Sequence, residues 1–245
     1  IPTTAGSGAE VTSSAVIYIN KIKYSVEGPE LKPNFYSLIP NFLLSSNLKI
    51  DASSSFDAIS QAIESILSKK STQQSVQFAK RGLKILIKNF NGFLKKKNLY
   101  NSYKMALGAN LSGKAINISR TTAPHALSYP FTAHFNIPHG HAVSLTLNKF
   151  LKFNYTYLNK SDCNFDLNKR FQLLFDLTKS KNLDELDLFL NKIKKTASLE
   201  QNFLKLGIKV EAEINRIVGG LNDQRLANNP VKVSKKDIKY ILENF

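Results

Sequence analysis

Tryptophan is missing from the 245 residues, and methionine and cysteine occur once each. The lone Cys163 excludes an internal disulfide framework and any zinc site built from several thiolates. It fits a reducing compartment, so the cytoplasm is the expected location. No run of about 18 apolar residues is present, which argues against a membrane-spanning helix, and no basic segment leads into an apolar stretch at the start. Acidic side chains are scarce too: 18 Asp and Glu face 34 Lys and Arg, a net charge of +16. Such an excess fits polyanion binding in principle. The base is almost all lysine, however, and it is spread along the chain with Lys95 to Lys97 as the densest run, which is the pattern of a solvated surface. With no recognition motif and no aromatic platform interleaved with arginine, neither nucleic acid nor membrane is an expected partner.

What is present is a hydrophobic fraction of 42% against 21% charged residues, enough to bury a core in one or two domains. The opening IPTTAGSGAEVTSS starts at Ile1 and reads as the interior of a motif, so an N-terminally truncated piece is expected. Residues 11 to 26 are β-branched and aromatic with a break at an Asn, the pattern of two short strands. Three prolines then punctuate residues 29 to 40. From about Phe56 the spacing turns helical, with Ile59, Ile63, Ile66 and Leu67 on one face. Further helices are expected over 72–89, 99–118, 140–157, 167–178, 183–204, 209–220 and 235–244, the last capped by Ser234. The expected fold is mainly α: a β-containing edge over 1–45 and a helical domain over 46–245.

All four histidines, His125, His134, His139 and His141, fall within PHALSYPFTAHFNIPHGH. Imidazole is the commonest metal ligand and a frequent proton carrier. A helix opening at PHAL and another at PHG can aim His125 and His139 into one space, whereas His134 and His141 read as surface or satisfied core residues. In DAISQAIES, Asp57 and Gln61 lie at i and i+4 and project from one helix face. By itself that spacing is common, and Asp57 in a first helical turn is also favoured by the helix dipole.

IPTTAGSGAEVT, DAISQAIES, PHALSYPFTAHFNIPHGHAV and RLANNP together resemble the iron-containing (group III) alcohol dehydrogenases, in order and over nearly the whole chain. The resemblance implies an all-helical metal-binding domain of the iron-alcohol-dehydrogenase and dehydroquinate-synthase-like fold, preceded here by the end of an α/β dinucleotide-binding domain. A piece lacking the start of that domain is expected to be inactive alone. The resemblance assigns the divalent metal, Fe²⁺ or Zn²⁺, to Asp57, Gln61, His125 and His139. Gln61 stands where the family carries a histidine, a neutral oxygen donor in place of an imidazole. Tyr129 stands where many members carry another histidine, and together with His139 it is the expected catalytic pair.

The same resemblance gives the NAD or NADP contacts to Thr3, Thr4, Gly6, Thr12 and Lys23, although Gly6 and Gly8 can equally mark a turn needing positive φ. Within the family the motifs look like the phosphonoacetaldehyde reductase branch, which reduces phosphonoacetaldehyde to 2-hydroxyethylphosphonate. Lys114, Asn117 and Arg120, just ahead of His125, then become the expected ligands of the phosphonate, with helix-end cations as the plain alternative. An uncharged small substrate on the same machinery, or a metal-free inactive relative, are the alternative functions. A homodimer is compatible with the resemblance.

Overall fold

The computed structural model describes residues 1–19 and 22–244. A turn-rich N-terminal segment leads through a short 3₁₀ turn, Ala9–Val11, into an antiparallel hairpin of β1 (Ser14–Ile19) and β2 (Ile22–Glu27). Among the described residues eleven α-helices follow: α1 (Asn41–Leu44), α2 (Leu48–Leu67), α3 (Gln73–Lys95), α4 (Leu99–Ser119), α5 (Ala123–Phe135), α6 (His139–Thr156), α7 (Leu167–Thr178), α8 (Leu183–Thr196), α9 (Val210–Gly219), α10 (Asp223–Leu226) and α11 (Lys235–Asn244).

Helix α2 is the hub. It packs against α3, α4 and α6, and Phe56, Ile59, Ile63 and Ile66 are fully buried. A helix covered on most sides has few places to put a polar group, so Asp57, Gln61 and Glu64, all buried, must find partners on neighbouring helices. The hairpin is the opposite case: Val16, Ile17, Ile19, Tyr24 and Val26 are exposed on it.

Most expected helices are present, and the differences have local causes. Helix α2 starts at Leu48, not near Phe56, because Asn47 caps it by accepting from the Ile50 amide at 2.9 Å; the Ser-rich stretch lies inside it and buries small side chains against neighbours. Helix α3 runs to Lys95, past 89, with Phe90 and Phe93 extending its buried face. Helix α8 stops at Thr196, short of 204. Ser198 takes φ 53°, and the Leu199 and Ser198 amides return to the carbonyls of Lys194 and Lys195, which closes the helix in a Schellman turn. Ser234 does cap α11, with Asp237 bonding back to its amide at 2.7 Å.

That Schellman turn holds Lys194, which is only 3% exposed. Its ammonium lies 5.9 Å from the centre of the Phe56 ring, and burial pulls its pKa down to about 7, with Asp187 opposing the shift. The unfolded chain therefore holds this proton to higher pH than the native chain does, so the penalty is complete below about pH 7 and is relieved as pH rises through the ordinary lysine range. Lys194→Met is expected to raise stability at pH 6–7 by on the order of 2 kcal/mol. Chemical denaturation at pH 6.5 and 10.5 checks this, the gain shrinking at the higher pH.

Candidate metal centre

Three helices supply the centre. Asp57 and Gln61 sit one turn apart on α2. His125 lies in the first turn of α5, behind Pro124, whose missing amide costs nothing there. His139 is the first residue of α6. Chain direction between the two histidines is set by Asn136, which ends α5 in the left-handed conformation at φ 53°, followed by Pro138 at the α6 cap.

One ligand atom from each of Asp57, His125 and His139 lies within 4.8 Å of the others. Asp57 Oδ1 is 3.2 Å from His125 Nε2 and 3.8 Å from His139 Nε2, and the imidazole rings meet edge to face at 5.3 Å. Gln61 donates Nε2 to Asp57 Oδ2 at 3.1 Å, and its own Oε1 is buried with no partner. A half-turn of the amide exchanges its oxygen and nitrogen, so a carbonyl donor is available beside the three other ligand atoms. A carboxylate, two imidazoles and a neutral oxygen form a donor set that suits Fe²⁺ or Zn²⁺.

Close approach of α6 to α2 depends on Gly140. A Cβ there would collide with the carbonyl oxygen of Ser53 and come 2.9 Å from Asp57 Cβ. The next residue, His141, donates its amide to Ser53 Oγ at 3.2 Å. Its ring turns away to the Glu200 carbonyl at 2.7 Å, and burial lowers its pKa. His134 lies edge-on to Phe135. Neither is among the clustered ligand atoms.

Glu64 is the residue that sequence reading passed over. Its carboxylate pairs with His125 Nδ1 and accepts the Thr122 amide and hydroxyl, both at 2.8 Å. With Nδ1 held there, Nε2 faces Asp57, the carboxylate–histidine arrangement that fixes ring orientation at metal sites. Burial disfavours the charged ring, but the Glu64 and Asp57 carboxylates overcome it and hold the pKa at about 9. The available signal was spacing: Glu64 is seven residues beyond Asp57 and three beyond Gln61, on the same stripe of α2. Ser128 Oγ contacts His139 Nδ1 at 3.2 Å and steadies the second imidazole.

The N-terminal segment meets the centre at a cavity of about 350 Å³, lined by Thr4, Ser7, Ser53, Ser54, Asp57 and His139 among others. Gly6 packs on α2, where a Cβ would come 2.8 Å from Ser54 Cβ, while Gly8 has φ +63° and lies against Gly113. The turn expectation thus holds for Gly8, and Gly6 is required for close approach. Thr3 is exposed. Thr12 is buried and donates to the Ala9 carbonyl at 3.5 Å, and neither threonine lines the cavity. The side chain of Lys23 lies outside the described residues.

Each of the three expected phosphonate ligands has a partner within the chain. Lys114 donates to Tyr36 Oη at 2.9 Å and lies over the Tyr36 and Phe78 rings. Asn117 Oδ1 accepts from the Ser13 amide and hydroxyl at 2.8 and 3.0 Å, tying β1 to α4. Arg120, at φ 60°, pairs with Glu27 at 2.9 Å. Asn117 and Arg120 thus both reach the base of the hairpin, where Ser14 pairs with Glu27, while Lys114, a turn earlier on α4, meets Tyr36. Tyr129 is buried with its ring 6.3 Å from that of His139. Burial raises its hydroxyl pKa, with Arg225, 5.9 Å from the ring, acting against the rise.

A helical body gathers an Asp, a Gln and two His where an N-terminal segment meets it, a group of side chains that could hold a metal ion. The chain belongs to the Fe-containing alcohol dehydrogenase family: residues 51–245 match the sequence model of that family's C-terminal part. Over 97% of its length it is 27% identical to 4-hydroxybutyrate dehydrogenase of Clostridium kluyveri, of which it covers 65%. It is 30% identical to phosphonoacetaldehyde reductase of Streptomyces viridochromogenes over 66% of this chain and 42% of that one. Among solved structures, sulfoacetaldehyde reductase from Bifidobacterium kashiwanohense in complex with NAD+ superposes with TM-score 0.85 at 26% identity, covering all of this chain and 64% of that protein. The chain thus spans less than two thirds of the length of these relatives. No helix among the described residues is long and apolar enough to cross a membrane.

Two outcomes follow from the geometry. Gly140→Ala is expected to cost roughly 2–4 kcal/mol, since a backbone carbonyl cannot give way as a side chain can; a thermal melt against the parent chain checks it. Glu64→Gln is expected to weaken Zn²⁺ binding about 10- to 100-fold, read by competition with a chromophoric chelator, whereas Glu211→Gln, at an exposed position on α9, leaves it in place.

Proposed function

We propose that this chain is the metal- and substrate-binding part of a reductase that converts a small aldehyde to its alcohol with NADH or NADPH. The single observation that carries this is the convergence of Asp57, His125 and His139 ligand atoms within 4.8 Å, beside a cavity that Thr4 and Ser7 share. Asp57, His125, His139 and the Gln61 carbonyl are the residues that would hold a divalent cation. Bound there, such an ion supplies Lewis-acid stabilisation of negative charge on a carbonyl oxygen.

The protein's own residues do the rest. Glu64 and Ser128 keep both imidazoles oriented. Tyr129 Oη keeps its proton, as its raised pKa requires, and we assign it as the donor near His139 that completes the alcohol. The burial of Asp57 and His125 keeps bulk water from their side of the centre. Residues 1–45 are assigned to the end of a dinucleotide-binding domain whose other strands would cover the exposed apolar face of the hairpin, and Thr3, Thr4, Gly6, Thr12 and Lys23 to the cofactor side. This reading places the enzyme in the cytoplasm.

Phosphonoacetaldehyde is the substrate we favour. Support comes from the motifs and from the company this chain keeps, since 4-hydroxybutyrate, phosphonoacetaldehyde and sulfoacetaldehyde, named for three relatives, all carry an acid group a few atoms from the reacting carbon. An uncharged small alcohol or aldehyde is the second reading, favoured by the partners that Lys114, Asn117 and Arg120 already have within the chain.

The test is turnover of phosphonoacetaldehyde and of propanal by the full-length protein with each cofactor, before and after chelation and on return of Fe²⁺ or Zn²⁺. Chelation is expected to abolish activity and metal to restore it. Asp57→Asn is expected to lower kcat/KM by at least about a hundredfold, an effect of the size of a lost electrostatic ligand. Activity indifferent to chelator would end the proposal.

A further inference from the structure

Arg225 is a cation near the centre that the expected ligand set did not include. It lies in α10, a single turn begun by Asn222, whose Oδ1 accepts the Arg225 amide at 2.9 Å. Arg225 opens the RLANNP motif, and the motif's later residues anchor the loop before α5. Asn228 Nδ2 donates to the carbonyls of Ser119 and Thr121, each at 2.9 Å, on either side of the positive-φ residue Arg120. Asn229 bonds Asn154 at 2.7 Å. Both asparagines are buried and serve packing, so the arginine side chain is the part of the motif left to account for.

Its guanidinium donates to Thr121 Oγ1 at 2.5 Å and lies 5.9 Å from the Tyr129 ring, which is in turn 6.3 Å from the His139 ring. Thr121 is buried, so this bond holds the fork in place. Glu27, whose charge acts on Tyr129, is paired with Arg120 at 2.9 Å. Among the described residues no carboxylate pairs with Arg225. A guanidinium carries five donors in a fixed plane and is matched by a planar or tetrahedral oxyanion. Thr121 Oγ1 and the Tyr129 hydroxyl each engage the guanidinium, and of its five donors the remainder are left for a ligand.

We propose that Arg225 selects the substrate: a short aldehyde whose far end carries an oxyanion, either carboxylate or phosphonate, held by this guanidinium while the carbonyl end faces Asp57 and His139. This rests on the reductase reading and adds the group that enforces charge at a defined distance from the reacting carbon.

Two measurements on the full-length protein test the assignment. In the first, kcat/KM is compared for phosphonoacetaldehyde, succinic semialdehyde and butanal. Arg225→Gln is expected to lower the ratio of either anionic aldehyde to butanal about ten- to a hundredfold, mainly through KM, as for loss of a charge-assisted hydrogen-bond pair. Arg225→Lys keeps the charge without the fork, so an intermediate ratio is expected, and it stands in if the Gln variant fails to fold. Loss with only one of the two anions identifies which oxyanion is read. In the second, calorimetric titration with ethylphosphonate, which has no carbonyl to reduce, is expected to show weaker binding to Arg225→Gln by the same factor. Ratios and ethylphosphonate affinity equal to those of the parent protein overturn the proposal. If the parent protein reduces none of the aldehydes, the reductase reading fails and the ethylphosphonate titration alone decides the anion site.

Discussion

Asp57 is the shared acceptor on which three helices depend. Its carboxylate meets His125 and His139 and holds the Gln61 amide, while being itself almost wholly buried in the most covered helix of the molecule. A buried carboxylate without partners costs several kcal/mol. The surrounding chain is consequently arranged to bring polar groups to it: α5 enters behind Pro124, and α6 starts at Pro138 and approaches α2 closely enough that only glycine fits at 140. The ligand cluster and the packing of α2 against α6 are therefore one feature, and neither is adjustable without the other.

Around that point the charges are layered. Glu64 backs His125 on the side away from Asp57, and Thr122 backs Glu64 with an amide and a hydroxyl. An imidazole with a carboxylate at each nitrogen is held charged until pH is well above neutral, which a net positive metal environment would reverse. On the other side, Ser128 steadies His139, and the Tyr129 ring has His139 6.3 Å and Arg225 5.9 Å from its centre. Asp57 and Glu64 thus lie one above the other on α2, with the His125 imidazole between their carboxylates.

Much of this was legible in the residues. The period of Ile59, Ile63 and Ile66 announced α2, the PHAL and PHG segments announced the two histidine-bearing helix starts, and the clustered histidines marked the stretch from which two of them meet Asp57. Which of the four would meet was already separable, because His125 and His139 sit at helix starts next to proline and His134 and His141 do not. The start of α2 and the end of α8 were misplaced because each depends on a single capping event, Asn47 in one case and the left-handed Ser198 in the other, and neither leaves a trace in hydrophobic periodicity. Glu64 was readable only as a third member of the Asp57 stripe.

The anion ligands show where sequence order stops being informative. Lys114, Asn117 and Arg120 are close in the chain and were expected to act together, yet they are bonded to Tyr36, Ser13 and Glu27. Arg225, about a hundred residues away, arrives beside Tyr129 because Asn228 docks its segment onto the carbonyls flanking Arg120. What the chain determined alone was local: helix faces, caps with a side-chain signature, and the ligand types carried on them, all set by periodicity and by bonds within a few residues. Which of those groups would share one space was decided by tertiary structure, because that depends on how closely two helices pack and on which buried polar atom each loop must satisfy, and both are settled between segments far apart in sequence.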